Sequence, residues 1–312
     1  MKALVFIETC GEKVLGGSLE LISILKELNA EGTAVVSGNR EAADTVASFG
    51  IPVIFTDTNS DCDTLTKVLS EIIKEQKPDL VFLANTTLAK DLAPRISGRM
   101  NLGCVSDVIK IDINDGKTIY TRPAYGGTIL ENIEVEGTAI VTVRNGSYPK
   151  PEPGLKKDVT VKSIEVPADT VKAKIIDVVK EISESVNLEE AKVIVSGGRG
   201  MGTAENFKLV EELAEVLGGV VGASRPPIEN GWISRAHQVG QSGKIVAPKL
   251  YIACGISGAT QHTSGMLGSD YIVAINKDED APIFEIANVG IVGNVNEILP
   301  SMIEEMKKVK AK

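Results

Sequence analysis

Five short segments of this sequence carry residue types that bind small molecules, and each follows or overlaps an apolar run. Val195-Ser196-Gly197-Gly198-Arg199-Gly200-Met201-Gly202 offers glycines, which let a backbone approach a ligand closely, and an arginine whose planar fork suits phosphate or carboxylate. Ala223-Ser224-Arg225-Pro226-Pro227 places a hydroxyl and a cation together. Gln238-Val239-Gly240-Gln241-Ser242-Gly243-Lys244 is glycine-bracketed and polar. Ser257, Thr260, Gln261 and His262 crowd the loop after Leu250-Tyr251-Ile252-Ala253-Cys254, and Ala274-Ile275-Asn276-Lys277-Asp278 is the fifth segment.

Taken singly, these signals stay open. The first segment fails the G-x-G-x-x-G spacing and has no acidic residue about twenty positions on, so it reads equally as a tight strand-to-helix turn with a solvated arginine. If it does open a helix, unpaired N–H groups at the helix N-terminus would favour an anion. His262 alone would read as a helix cap. Together, five polar loops at strand ends predict one ligand crevice, because open α/β sheets bind at the carboxyl ends of their strands.

Elimination narrows the chemistry. The sequence has only two histidines, His237 and His262, and neither a G-x-S-x-G elbow nor a G-x-x-x-x-G-K-[ST] loop, so hydrolytic and phosphoryl-transfer machinery is missing. Cys10, Cys62, Cys104 and Cys254 form no C-x-x-C pair. They read as reduced, mostly buried thiols, and no metal centre is expected. A site of amide, hydroxyl and arginine donors suits a cofactor that brings its own chemistry.

The elements that must position these loops follow from periodicity. Leu4–Ile7, Thr33–Ser37, Ile51–Phe55 and Leu80–Ala84 read as strands. They alternate with helical patterns around Leu19–Leu25, Ala42–Phe49 and Leu65–Ile73, which predicts a βα array. Residues 105–166, including Ala139–Val143, read as antiparallel β structure, with Tyr148–Gly154 an exposed loop. An amphipathic helix carries Val171, Ile175, Val178 and Ile182, and a linker is expected near 187–191. A second βα array follows, with strands at 193–195, 219–222, 250–254 and 271–275 and a final helix through Ile298, Met302, Ile303 and Met306. The fold class is therefore α/β with two domains. Residues 1–187 form a βα array with an antiparallel portion, and residues 188–312 form a doubly wound parallel sheet.

With 312 residues, 43% of them hydrophobic, the chain can bury two cores. Its net charge of −9 has the wrong sign for nonspecific nucleic-acid or anionic-membrane binding. No spanning segment and no signal-peptide core stand out, which reads as a cytoplasmic protein.

The stretch QVGQSGKIVAPKLYIACGISGATQHTSGM (238–266), with SGGRG, GASR and AINKDEDAPIF in order around it, resembles the FAD-binding signature of electron transfer flavoprotein α subunits. PDLVFLANTTLAKDLAPRISGRM and RPAYGG are similar to the same family in the first half. The resemblance implies FAD in the second domain. It implies cofactor contacts at Arg199, Ser224, Arg225, Val239, Gly240, Gln241, Ser242, Ser257, Gly258, Ala259, Thr260, Gln261, His262 and Asn276. It also implies three residues at the reacting ring: Ser242 at flavin N5, where many members have Thr, His262 donating to flavin O2, and Arg225 beside the ring. Asn294 stands in GIVGNV where members commonly carry an Asp near the adenosine. The partners implied are a β subunit and acyl-CoA or other flavoprotein dehydrogenases, with the first domain forming part of the subunit contact. The spelling SRPPIENGW, with Pro226, Pro227 and Trp232, is similar to the electron-bifurcating branch. That branch would add NADH and ferredoxin or flavodoxin as partners through the complex. A self-contained NAD- or FAD-dependent oxidoreductase and a nucleotide-binding regulatory module are the alternatives.

Overall fold

A computed structural model describes residues 1–58, 61–167, 171 and 187–310 of the chain. The chain divides into two compact units, Met1–Val179 and Lys180–Lys312.

The strands of the first unit are β1 (Lys2–Ile7), the short pair β2 (Thr9–Cys10) and β3 (Lys13–Val14), β4 (Glu31–Ser37), β5 (Val53–Thr56), β6 (Leu80–Ala84), β7 (Gly103–Val108), β8 (Lys110–Asn114), β9 (Lys117–Ala124), β10 (Ile129–Glu134), β11 (Ala139–Val143) and β12 (Val159–Val161). Its helices are α1 (Gly16–Glu27), α2 (Arg40–Ala47), α3 (Cys62–Gln76) and α4 (Thr87–Met100). Local chemistry starts three of them. Asn39, Asp61 and Thr86 accept hydrogen bonds from the N–H groups of Ala42, Thr64 and Ala89, the side-chain caps that orphan first-turn donors require.

Seven strands form a parallel sheet in the order β12-β5-β4-β1-β6-β11-β7. Three expectations are corrected here. Ala139–Val143 is not antiparallel: β11 runs parallel between β6 and β7 with all five residues buried. An unbroken apolar run marks a strand covered on both faces. Among the described residues, antiparallel pairing is confined to the sheet β10-β9-β8, apart from the β2-β3 pair. Tyr148 is not exposed but buried, its hydroxyl accepting the Ile111 N–H at 3.0 Å. Of the four thiols, Cys254 is buried and Cys62 half-buried, whereas Cys10 and Cys104 are exposed, contrary to a mostly buried set. The amphipathic helix expected through Ile175, Val178 and Ile182 lies outside the described residues.

The second unit is a parallel sheet of β13 (Val193–Gly197), β14 (Val220–Ala223), β15 (Leu250–Cys254), β16 (Ile272–Asn276) and β17 (Val289–Val292), ordered β14-β13-β15-β16-β17. Helices α5 (Ala204–Leu217), α6 (Arg225–Glu229), α7 (Thr260–Thr263), α8 (Ile283–Ile286) and α9 (Val295–Lys310) complete it. Alternation along the central strands builds two cores. Val195, Ile252, Cys254 and Ile275 pack with Phe207, Leu213, Leu299 and Ile303, while Ile194, Tyr251, Ala253 and Ala274 pack with Val239, Val246 and Met266. The linker expected near 187–191 is instead fastened to this unit. Leu188 is buried in the second of these cores, and Glu189 pairs with Lys244 at 3.7 Å.

Candidate functional site

The second sheet reverses its winding between β13 and β15. From β13 the chain steps to one side for β14, then crosses to the other for β15, β16 and β17. Loops leaving the carboxyl ends of β13 and β15 diverge at such a point, and the crevice they leave is the usual ligand site of a doubly wound sheet. A cleft of about 580 Å³ occupies it, lined from five loops.

Twelve of the expected contacts line this cleft: Arg199, Ser224, Arg225, Val239, Gly240, Gln241, Ser242, Ser257, Ala259, Gln261, His262 and Asn276. Three do not. Gly258 has φ +90°, and a Cβ there would strike the backbone N of Ile283, so its lack of a side chain serves packing. Thr260 is exposed at the start of α7. Asn294 opens α9, its Oδ1 accepting the Asn296 N–H at 3.1 Å and its amide donating to Glu297 at 2.9 Å. The lining also includes Gly200, Pro226, Gln238, Gly255, Ile256, Lys277 and Asp278, which the expected contact set omits.

The glycine loop after β13 differs from a helix-opening anion loop. Gly198 N–H donates to Cys254 O at 2.8 Å and Gly200 N–H to Gly255 O at 2.9 Å, so these donors stitch two loops together. A Cβ on Gly200 would come within 2.7 Å of Gly255 Cα, which explains why both positions lack one. A single helical turn, Arg199–Met201, intervenes before α5 begins at Ala204, and Thr203 caps that helix by accepting from Asn206 N–H at 3.2 Å. The α5 N-terminus is thus closed by its own sequence.

Hydrogen bonding sets what each side chain can offer. The buried Gln238 donates its Nε2–H to Ser242 Oγ at 2.9 Å. That fills one acceptor position on Ser242 and leaves its O–H free to donate. Gln238 lies four residues before Ser242 in one loop, and that spacing is the sequence signal that would have found it. Arg225 is exposed, with its Nε–H on Glu229 Oε1 at 2.6 Å, so its charge faces solvent and a partner rather than the cleft interior. Asn276 is committed to structure, donating to Ile256 O at 2.9 Å and accepting from Asp278 N–H at 3.1 Å.

His262 departs most from its expected role. Its Nδ1 lies 3.1 Å from the Val239 carbonyl, which can only accept, so Nδ1 carries the hydrogen; Nε2 then accepts the Tyr251 hydroxyl proton at 3.0 Å. Neither nitrogen is left to donate into the cleft. Burial pushes the imidazole down to about 4, against the opposing pull of the Val239 carbonyl, so the ring is neutral at pH 7.

A family model described as "Electron transfer flavoprotein FAD-binding domain" matches residues 187–267, and another described as "Electron transfer flavoprotein domain" matches residues 3–169. The chain is 41% identical to the electron transfer flavoprotein subunit alpha of Thermoanaerobacterium thermosaccharolyticum, covering 98% of each chain. It is 40% identical to Protein FixB of Clostridium saccharobutylicum over 94% of this chain and 92% of that protein. The corresponding subunit of Bacillus subtilis is 39% identical over 95% of this chain and 90% of its own length. The chain therefore belongs to the electron transfer flavoprotein α subunits, and its second unit carries that family's FAD-binding domain.

Proposed function

We propose that FAD lies in the switch-point cleft of the second unit. Together with a β subunit, the chain then passes electrons from flavoprotein dehydrogenases, acyl-CoA dehydrogenases among them, to a downstream acceptor. The observation that supports this most is the donor set of the cleft. Hydroxyls from Ser224, Ser242 and Ser257, the Gln241 and Gln261 amides and the cations Arg199 and Lys277 converge where the strand order reverses, with Arg225 at the rim, paired to Glu229. This set fits the group, since cationic and hydroxyl donors match a pyrophosphate and a polar ring edge, and close-packed glycines leave room beside them. When bound, the flavin supplies the electron acceptance and release.

The chain's own residues bind and orient. Arg199 and Lys277 bring positive charge to the phosphates. Ser242, held by Gln238, presents its O–H to a ring nitrogen. Arg225 reaches the ring after releasing Glu229, an exposed pair worth at most about 1 kcal/mol, so the exchange is easy. Val239 and Gly240 form the adjoining wall with Ala259. Replacing Gln238 with Leu should leave Ser242 unoriented and weaken FAD binding about tenfold, the worth of one hydrogen bond. Quenching of flavin fluorescence on titration checks it, and unchanged affinity would show that Ser242 needs no such support.

A finer reading makes the complex a bifurcating one, with NADH as donor and ferredoxin or flavodoxin as the low-potential acceptor. What supports it is the Ser224–Trp232 spelling, in which Pro226 lines the cleft and Trp232 packs 6.3 Å from Phe207. Two flavins per heterodimer and NADH-driven reduction of ferredoxin or flavodoxin are expected; one flavin and no NADH oxidation would exclude it. In this reading the first domain (1–187) makes the subunit contact, the 188–312 domain carries FAD, and the complex works in the cytoplasm. Among the described residues no helix is long and apolar enough to cross a membrane.

A further inference from the structure

Behind the cleft wall lies a line of polar groups that the reading above does not use. Tyr251, fully buried on β15, gives its O–H to His262 Nε2. Beyond it is Ser196, also fully buried, whose Oγ neighbours the Tyr251 hydroxyl but makes no hydrogen bond of normal geometry among the described residues. The register places the two hydroxyls together. β13 and β15 are parallel with Ile194 opposite Tyr251 and Ser196 opposite Ala253, so Ser196 and Tyr251 are diagonal neighbours on one face of the sheet. The serine is close enough to bear on the ionisation of the phenol. Room for its hydroxyl is kept by Gly222 on β14, where a Cβ would strike Ser196 Oγ. An unpaired hydroxyl in a dry core is costly, and one beside a hydroxyl that already has a partner asks what second arrangement would satisfy it.

We propose that Tyr251 and Ser196 form a two-position hydroxyl relay that lets His262 take up a proton when negative charge enters the cleft. In the first position Tyr251 donates to Nε2, the ring is neutral and Ser196 is unpaired. In the second, a proton taken up from bulk solvent as the negative charge arrives forms an N–H bond at Nε2, on the lone pair that had accepted from Tyr251. The imidazolium donates that N–H to Tyr251 Oη, and Tyr251 keeps its own proton while turning it to Ser196 Oγ. Charge balances: the ring gains one positive charge against the negative charge introduced. Tyr251 and Ser196 are positioning residues and touch no ligand. Val239 contributes its carbonyl from the facing loop, and the titratable side chains on the cleft walls, Arg199, Arg225, Lys277 and Asp278, make no hydrogen bond to His262. The proposal rests on FAD occupying this cleft, because the reduced ring is the source of negative charge.

The test is the 15N spectrum of the imidazoles in the full chain carrying FAD, before and after dithionite reduction at pH 7. With two histidines in the sequence, His237→Asn assigns the signals. The parent should show neutral His262 with Nδ1–H when oxidised and an imidazolium when reduced. Ser196→Ala should stay neutral on reduction, with a lowered flavin midpoint potential. A parent that never protonates, or an Ser196→Ala protein that protonates as the parent does, overturns the relay. Should FAD fail to bind the parent, the cofactor reading fails separately, and the flavin-free chain still decides the relay. There Ser196→Ala and Tyr251→Phe must both lower the pH at which His262 protonates, since each removes a partner of the charged form. A Tyr251→Phe midpoint that rises instead identifies the phenol as a simple lock on the neutral ring and overturns the proposal.

Discussion

Alanine at Gly258 is expected to cost the second unit about 3 kcal/mol or more, the largest loss from any single methyl in the cleft region. Two penalties add. The residue has φ +90°, which an L side chain rarely adopts, and its Cβ would meet the main chain of Pro282 and Ile283 rather than a side chain that can swing aside. The Ile283 N–H already donates to Ser257 O at 3.1 Å, so the two loops have no slack. Gly231, with φ +70° and open space around its Cβ, is the control, and alanine there should cost only about 1 kcal/mol. Trp232 is the sequence's one tryptophan and lies in the second unit, so urea unfolding followed by its fluorescence reads this unit alone. Equal losses from the two substitutions would remove the steric half of the argument.

Acid should weaken the second unit through His262. The folded pKa is about 4 against an ordinary 6.5, because burial disfavours the charged ring. The unfolded chain therefore binds the proton first as pH falls. Stability from this group is complete above pH 6.5, declines between 6.5 and about 4, and falls no further once the folded ring is also protonated. The total is about 3 kcal/mol. Replacing His262 with Gln should flatten that part of the profile, leaving the decline caused by carboxylates at lower pH. Urea midpoints at pH 7.5, 6, 5 and 4.5 for both proteins measure it, and parallel profiles would mean that the buried ring is not the acid-sensitive group.

What could be read from the sequence depended on how local the determining physics was. The βα rhythm of Leu4–Ile7, Thr33–Ser37 and Leu80–Ala84 is local, and those strands lie where expected. The direction of Ala139–Val143 is not written in its residues, because an apolar run reports burial on both faces but not which neighbours supply it. β17 leaves little trace in the sequence, since Val289-Gly290-Ile291-Val292 is short and mostly exposed at a sheet edge. At the site, residue types marked five loops that meet at one cleft, and twelve of the expected positions line it. Hydrogen-bond directions were not legible. That Ser242 is held by Gln238, or that His262 has spent both nitrogens on Val239 and Tyr251, depends on residues brought together by folding. Asn294 shows the same limit from the other side, its amide being used to open a helix.

The burial of Leu188 has a mechanical corollary. The chain enters the second unit seated in the same apolar core as Val239, and its next residue, Glu189, is tied to Lys244. Lys244 in turn exchanges main-chain hydrogen bonds with Gln238 and Gly240, at 2.7 and 3.1 Å, closing the loop that displays Gln241 and Ser242. Tension on the incoming segment of chain is thus delivered close to the cleft loop that carries Gln241 and Ser242 and not spread over the unit. The exposed ion pair would yield first and the leucine seat last, so the same attachment passes small displacements to the loop while anchoring it against large ones.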